Sequence, residues 1–270
     1  MIDVKYYLQW CEWVKEYLRD KSRGSLPLQT AKAEPIHLLM NGCSLPNTID
    51  YLDKKPGKVM MVNMALCEPL KLRPDYYCFV DPRYGQKEDW AVRDLFVELE
   101  KYPEPLVVFT ISSVKNKLSI QNRNITVQQV CNNDCPEYRG KRERNLLQKN
   151  IAAFTFQGVI IAALYISIQL GYKTIYLHGA DGDYGKTRIN EKNELYFRPI
   201  HYYDVESGGW EEKKTYNMLD DYRSLVRLYE GLYGIEKYAR DCGVRIINMY
   251  NESLVDCFEK IGSNIDFRRE

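Results

Sequence analysis

Short apolar runs recur along the chain, and each stops abruptly at polar or turn-forming residues. Ile36–Met40 ends at Asn41-Gly42, Lys58–Val62 at Asn63, Tyr76–Val80 at Asp81-Pro82, and Leu106–Thr110 before Ser112-Ser113. Runs of this length with no alternation read as strands buried on both faces, the pattern of a parallel sheet. Lys173–Leu177 and Val244–Asn248 repeat it later, and Ile125–Val127 reads as an edge strand. Helical periodicity is clearest in three places. Residues 2–19 carry Val4, Tyr7, Leu8, Cys11, Val14 and Leu18 at helical spacing, with Trp10 and Trp13 widening the apolar face. Phe156–Tyr172 is apolar nearly all round, so it reads as a buried helix closed by Gly171. Met218–Cys242 reads as one long helix or two in succession, and Leu254–Ile261 as a closing helix. Asp89–Lys101 is the best formed of the helices between the early strands.

The pattern gives an α/β fold, Rossmann-like, with a mostly parallel sheet, helices on both faces and an inserted lid. Residues 1–35 form an N-terminal helix and connector, and 36–185 an α/β core with the crevice at its strand ends. Residues 186–219 lose periodicity and gain Tyr, Trp and charge, which marks a lid-like segment. Residues 220–270 supply C-terminal helices and the last strand. Polar residues at one end of successive parallel strands are what a shared crevice requires. Neither a GxGxxG fingerprint nor a GxxxxGK[ST] loop is present, so the sequence licenses neither a dinucleotide nor an NTPase site.

Lys plus Arg number 38 against 37 Asp plus Glu, a balance that gives no electrostatic reason to expect nucleic-acid binding. No long apolar run or signal-peptide pattern appears, and the expectation is a cytoplasmic protein. The N-terminal helix is the candidate for weak peripheral contact at the inner face of the cell membrane, or for a homo-oligomer contact. The eight Cys are scattered, several within apolar runs, and read as reduced thiols; Cys131 and Cys135 form one pair without a nearby His. The 22 Tyr suit amphipathic contacts such as those with sugars, or a Tyr-rich core. Arg139–Arg144 carries four basic residues and reads as a solvated loop, or as a cation supply for an anionic substrate or lipid head group.

Four stretches carry a family likeness: Asn41-Gly42-Cys43-Ser44-Leu45, Val62-Asn63, Gly158 through Asp181, and Tyr250-Asn251-Glu252-Ser253-Leu254. In order and spacing they resemble the small bacterial sialyltransferases, which have one Rossmann-like domain and a lid, and related proteins of surface-polysaccharide biosynthesis (capsule and lipopolysaccharide). The resemblance implies an inverting glycosyltransferase using a nucleotide sugar, CMP-linked, with a glycan or lipid-linked glycan as acceptor and no required metal. It implies that Asn41, Gly42 and Ser44 contact the CMP part and that Asn63 contacts the donor phosphate or ribose. Asp81 stands where the family tends to have Asn, and Gln157-Gly158 where it has Ser-Gly. Gly179 and Asp181 complete the expected nucleotide side. An Arg the family has just upstream is missing within Ile151–Phe156, which, with Gln157, counts against sialic acid specifically. Tyr184, with Tyr202 or Tyr203, stands for the family's tyrosines near the departing phosphate, and His201 for its lid base. Imidazole chemistry suits that role near neutral pH. Of the other two His, His37 reads as a core residue with one satisfied nitrogen, and His178 as either structural or part of the site.

Asp181-Gly182-Asp183 also has the spacing of a metal-binding Asp-x-Asp, as in transferases that use UDP- or GDP-sugars with a divalent cation. A pyrophosphokinase-like enzyme using ATP and Mg²⁺ is a further alternative, and would rely on the same carboxylates.

Overall fold

The computed structural model describes residues 3–19, 26, 28–63, 72–85, 90–131, 133–135, 137–183, 186–198, 201–202, 210–212 and 217–261. Its strands are β1 Ile36–Leu39, β2 Lys58–Val62, β3 Tyr76–Cys78, β4 Leu106–Ile111, β5 Ile125–Val130 and β6 Thr174–His178. They continue with β7 Lys186–Ile189, β8 Leu195–Arg198, β9 Glu211–Glu212, β10 Arg245–Asn248 and β11 Glu259–Lys260. The helices are α1 Val4–Arg19, α2 Leu45–Thr48, α3 Tyr51–Lys54, α4 Trp90–Lys101, α5 Ser112–Lys115, α6 Lys141–Gln148, α7 Val159–Gln169 and α8 Met218–Asp241.

Eight strands form one sheet in the order β11-β10-β6-β1-β2-β3-β4-β5, with every pairing parallel. The chain winds outward from β1 to the edge at β5, returns through α7, and winds the other way from β6. Strand order therefore reverses between β1 and β6, and the crevice of a doubly wound sheet opens there. β1 is buried at all four positions, and α7 is buried from Ile161 through Gln169. This is the near-continuous apolar patterning the sequence displays.

Four elements differ from the sequence expectation. The lid-like stretch contains a three-stranded antiparallel sheet, β7-β8-β9, rather than irregular chain. Its strands are too short to show alternation, and part of their cohesion comes from Arg188 lying over the Trp210 ring at 4.4 Å and the Tyr196 ring at 5.1 Å. The closing helix over Leu254–Ile261 does not form; a turn leads into β11, which pairs with β10. Ser253 explains this, because its hydroxyl donates to the Ala180 carbonyl (2.6 Å) and accepts from the Val255 N–H (3.0 Å). Such local side-chain bonds take the backbone groups that a helix would use.

The third difference is the face by which α1 docks. Trp10 and Trp13 are buried against Ala152, whereas Val4, Tyr7, Leu8, Val14 and Leu18 are 43 to 72% exposed. The basic stretch after Tyr138 differs as well: expected as a solvated loop, it opens α6 with Glu143 buried, and it holds α1 in place. Arg139 lies 4.2 Å over the Tyr6 ring, Arg142 lies 3.6 Å over the Trp10 ring, and the Tyr6 hydroxyl bonds Glu143. Aromatic rings bury more area per residue than aliphatic side chains and attract guanidinium groups, so the Trp flank wins. Among the described residues, no helix is long and apolar enough to cross a membrane.

Candidate active site

The turns that leave β1 and β6 lie face to face. The Gly42 N–H donates to the Gly179 carbonyl at 2.9 Å, continuing the ladder in which the Met40 N–H donates to the His178 carbonyl. Gly179 has φ +65°, and a Cβ on Gly42 would stand 2.4 Å from the Gly179 oxygen and 2.6 Å from Asp181 Cγ. Only a residue without a side chain allows this approach. The arrangement is locked by Asp181, whose carboxylate accepts from the Ser44 N–H (2.9 Å) and from the Ser44 hydroxyl. The carbonyl of Asp181 accepts from the Leu254 N–H at 2.7 Å, tying in the C-terminal turn.

Beside these turns lies a cavity of about 780 Å³. Asn41, Gly42, Asn63 and Gly179 line its sheet side, and Gln157 and Gly158 bring in the first turn of α7. Among the described residues the Asn41 side-chain oxygen is buried with no hydrogen-bond partner. Asn63 adopts a left-handed conformation (φ 52°), and its carbonyl accepts from the Tyr77 hydroxyl. The amides opening α7 face an anion favourably, because they are unsatisfied within the helix and carry its positive dipole end. Among the described lining residues none is Lys or Arg, while Asp181, Asp183 and Asp221 are present.

The lid-like stretch is joined to the turn after β1 by a backbone bond from the Tyr202 N–H to the Asn41 carbonyl at 3.0 Å. It brings His201 into the lining, partly exposed. The structure thus gathers Asn41, Gly42, Asn63, Gln157, Gly158, Gly179, Asp181, Asp183 and His201 around one space.

Other expected site residues lie elsewhere. Ser44 is buried and occupied with Asp181 instead of lining the cavity. Asp81 does not line it either, since its carboxylate accepts from the Arg83 N–H (2.9 Å) and pairs with the Arg83 guanidinium (2.8 Å). Tyr202 is partly buried with its ring against the main core, and contributes its backbone. Tyr184 and Tyr203 fall outside the described residues.

His178 and His37 are fully buried side by side, outside the cavity. His37 Nε2 bonds the Lys55 carbonyl (2.8 Å), and its Nδ1 meets His178 Nε2 (3.0 Å). His178 Nδ1 meets the Thr48 hydroxyl at 3.1 Å. Both nitrogens of each ring are therefore engaged, one more than expected for His37. Burial, with the neighbouring His37 second, pushes the His178 pKa down to about 3; burial lowers His37 as well.

Asp181 is poorly placed as a metal ligand because both of its carboxylate oxygens already serve Ser44. Among the described residues, no three His, Cys, Asp or Glu are grouped in a way that could hold a metal ion.

One wall was not anticipated. The first half of α8 contributes Met218, Asp221, Tyr222, Leu225 and Leu228, and the lid adds Thr187 and Phe197. The signal was the breadth of apolar positions on α8, where 225, 226 and 229 exceed the stripe needed to pack one side.

The chain matches no protein-family model and no curated protein. Among solved structures, the MAf glycosyltransferase from Magnetospirillum magneticum AMB-1 superposes with a TM-score of 0.52 at 13% identity, over 91% of this chain and 36% of the other. The chain thus spans little more than a third of that protein. The sialyltransferase CstII from Campylobacter jejuni, solved with cytidine-5'-monophosphate, aligns over 85% of both chains with a TM-score of 0.43 at 14% identity. The monofunctional alpha-2,3-sialyltransferase Cst-I from the same organism aligns over 86% of this chain and 82% of its own, with a TM-score of 0.43 at 18% identity. In fold, the chain resembles a glycosyltransferase.

Proposed function

We propose that the chain is a glycosyltransferase that moves a sugar from a CMP-linked donor to a glycan acceptor, by direct displacement with inversion. The nucleotide occupies the polar side of the cavity, with Asn41 and Asn63 toward base and ribose. The α7 amides and Gln157 then face the phosphate. His201 takes the proton of the acceptor hydroxyl as that oxygen attacks the anomeric carbon. The bond from that carbon to the phosphate oxygen breaks, and CMP departs. The single observation that carries this reading is the bond from the Tyr202 N–H to the Asn41 carbonyl, which ties the neighbouring His201 to the cavity it lines.

A monophosphate suits this wall better than a diphosphate. One helix N-terminus and neutral amides can meet one phosphate, whereas two phosphates ordinarily draw a divalent cation. With three carboxylates and no Lys or Arg among the described lining residues, any sugar carboxylate would be recognised by amides rather than by an ion pair.

Calorimetry with CMP, UDP, GDP and ATP, each with and without Mg²⁺ or Mn²⁺, tests the donor. CMP is expected to bind without metal. Binding of UDP, GDP or ATP only with metal would replace this donor class and restore the metal-dependent or pyrophosphokinase-like reading. His201→Ala is expected to abolish transfer with CMP binding retained; near-normal turnover would remove His201 as the base.

A further inference from the structure

The turn that ends β2 holds an asparagine in a backbone state that favours glycine. Asn63 has φ +52°, in the left-handed region, and it lines the cavity. A residue with a Cβ enters that region at a steric cost, and asparagine tolerates it better than most. Glycine would serve the backbone alone. What Asn63 adds at the crevice is a side-chain amide that can both donate and accept.

A buried tyrosine holds this residue. Tyr77 pairs with Met61 in the β2–β3 register, and its hydroxyl donates to the Asn63 carbonyl. The bond reaches two residues past the register partner, about 6.6 Å at the strand rise, so it uses the length of a tyrosine side chain. The Tyr77 ring is fully buried and meets the Phe79 ring edge-on at 6.0 Å, which anchors the hydroxyl. Asn150 shows the opposite use of the same two residue types. It is also left-handed (φ 52°), but there the Tyr165 hydroxyl donates to the side-chain oxygen at 3.1 Å, and Asn150 is buried outside the cavity lining. That amide is engaged in the core, whereas Tyr77 takes the Asn63 backbone and leaves the amide to the cavity.

We propose that Tyr77 is a positioning residue for the nucleotide site: its hydroxyl pins the Asn63 carbonyl and so keeps the Asn63 amide turned into the crevice. The inference rests on the reading of Asn63 as a donor contact and adds the residue that sets it. Rotation about φ moves the carbonyl and the side chain of a residue together, because one Cα carries both. A bond that fixes the carbonyl therefore fixes the amide. Without it, relaxation toward negative φ, the favoured state for a residue with a Cβ, turns both away.

The test is a double-mutant cycle read by CMP calorimetry on the full chain: wild type, Tyr77→Phe, Asn63→Gly and the double variant. Phe keeps the buried ring, and Gly keeps the left-handed backbone without strain while removing the amide. Tyr77→Phe is expected to weaken CMP binding at least fivefold, and Asn63→Gly at least tenfold. In the Asn63→Gly background, Tyr77→Phe is expected to change the affinity by less than twofold. Full affinity in Tyr77→Phe overturns the proposal, as does an equal loss in both backgrounds, which is what general loosening of the core gives. A second readout needs no nucleotide. With isotope-labelled asparagine, the Asn63 side-chain amide resonance in heteronuclear NMR is assigned by its absence in Asn63→Gly, and it is expected to shift or broaden in Tyr77→Phe. An unmoved resonance overturns the proposal. A moved resonance in a chain whose wild type fails to bind CMP sinks the transfer reading and leaves Tyr77 as the residue that positions Asn63.

Discussion

Lowering the pH from 7.5 to 5 is expected to cost the fold about 2 kcal/mol at His178 alone. The Lys55 carbonyl can only accept, so His37 Nε2 carries a proton and His37 Nδ1 is the lone pair that receives His178 Nε2–H. His178 Nδ1 then accepts from the Thr48 hydroxyl, whose one proton is drawn from its other partner, the Leu45 carbonyl at 3.2 Å, and the neutral pair is hydrogen-bonded at every ring nitrogen. The unfolded imidazole titrates near 6.5, whereas the folded His178 is held down to about 3 by burial. Between those values the unfolded chain binds the extra proton. Stability is thus fully present above pH 6.5 and is lost as pH falls, at roughly 1.4 kcal/mol per unit until the folded pKa is reached. From 6.5 to 5 that is 1.5 units, or about 2 kcal/mol. His37 shifts in the same direction and adds to the loss. The cost is large beside a typical stability of about 5–15 kcal/mol. Urea unfolding at pH 7.5, 6 and 5, followed by far-UV circular dichroism, measures it. The His178→Gln variant is expected to be less stable at pH 7.5 but to have a shallower pH slope. Equal wild-type stability at pH 7.5 and 5, or an unchanged slope in the variant, would refute the buried neutral pair.

Other substitutions test the site and its supports. Gly42→Ala drives a methyl group into the Gly179 carbonyl and Asp181, and is expected to cost about 1–3 kcal/mol and weaken CMP binding at least tenfold, read by thermal melting and calorimetry. Asp181→Ala leaves the buried Ser44 hydroxyl and N–H without their partner, and a loss of about 1–3 kcal/mol in urea unfolding is expected, unchanged by added Mg²⁺. Asp81→Asn is expected to leave CMP affinity within twofold in calorimetry, because that carboxylate pairs with Arg83 outside the cavity. Trp10→Ala removes the buried anchor of α1 and the ring under Arg142, and early proteolysis near the N-terminus with an intact remainder is expected on a gel time course.

The parts of this molecule that were legible from sequence are those where one rule governs. Interior parallel strands are buried on both faces, so apolar runs such as Ile36–Leu39 announce themselves, and their polar ends mark the crevice. The helix from Val159 to Gln169 is apolar all round because the sheet, α6 and α8 enclose it, and only its ends required geometry. Prediction failed where two physical rules compete. In α1, helical spacing gives an aliphatic stripe and an aromatic flank equal claim to the core, and the choice was made by Arg139 and Arg142, more than a hundred residues away. In Ser253–Ile261 the apolar spacing suited a helix, but the Ser253 hydroxyl, Asn248 and the open edge of β10 offered better partners for the backbone.

The site shows the same competition at single residues. Ser44 and Asp181 each suited ligand contact by position, yet the close approach of two glycine turns brings them together, and each satisfies the other. A hydroxyl and a carboxylate consumed in this way can still govern binding, because they fix where the Asn41 carbonyl sits, and that carbonyl holds the lid through Tyr202. The groups that face the ligand are then the ones that kept unspent hydrogen-bonding capacity. Among the described residues the Asn41 side-chain oxygen is buried with no partner, and a buried acceptor left in that condition is costly unless a ligand or water completes it. Asn41→Asp would place a charge there, and Asn41→Leu an apolar group of similar size. If that oxygen receives a donor from the nucleotide, Asn41→Leu is expected to weaken CMP binding at least tenfold while leaving thermal stability equal or higher. A Leu variant that binds CMP as tightly as the wild type would mean that water alone fills the position, and that nucleotide recognition lies further along the turn.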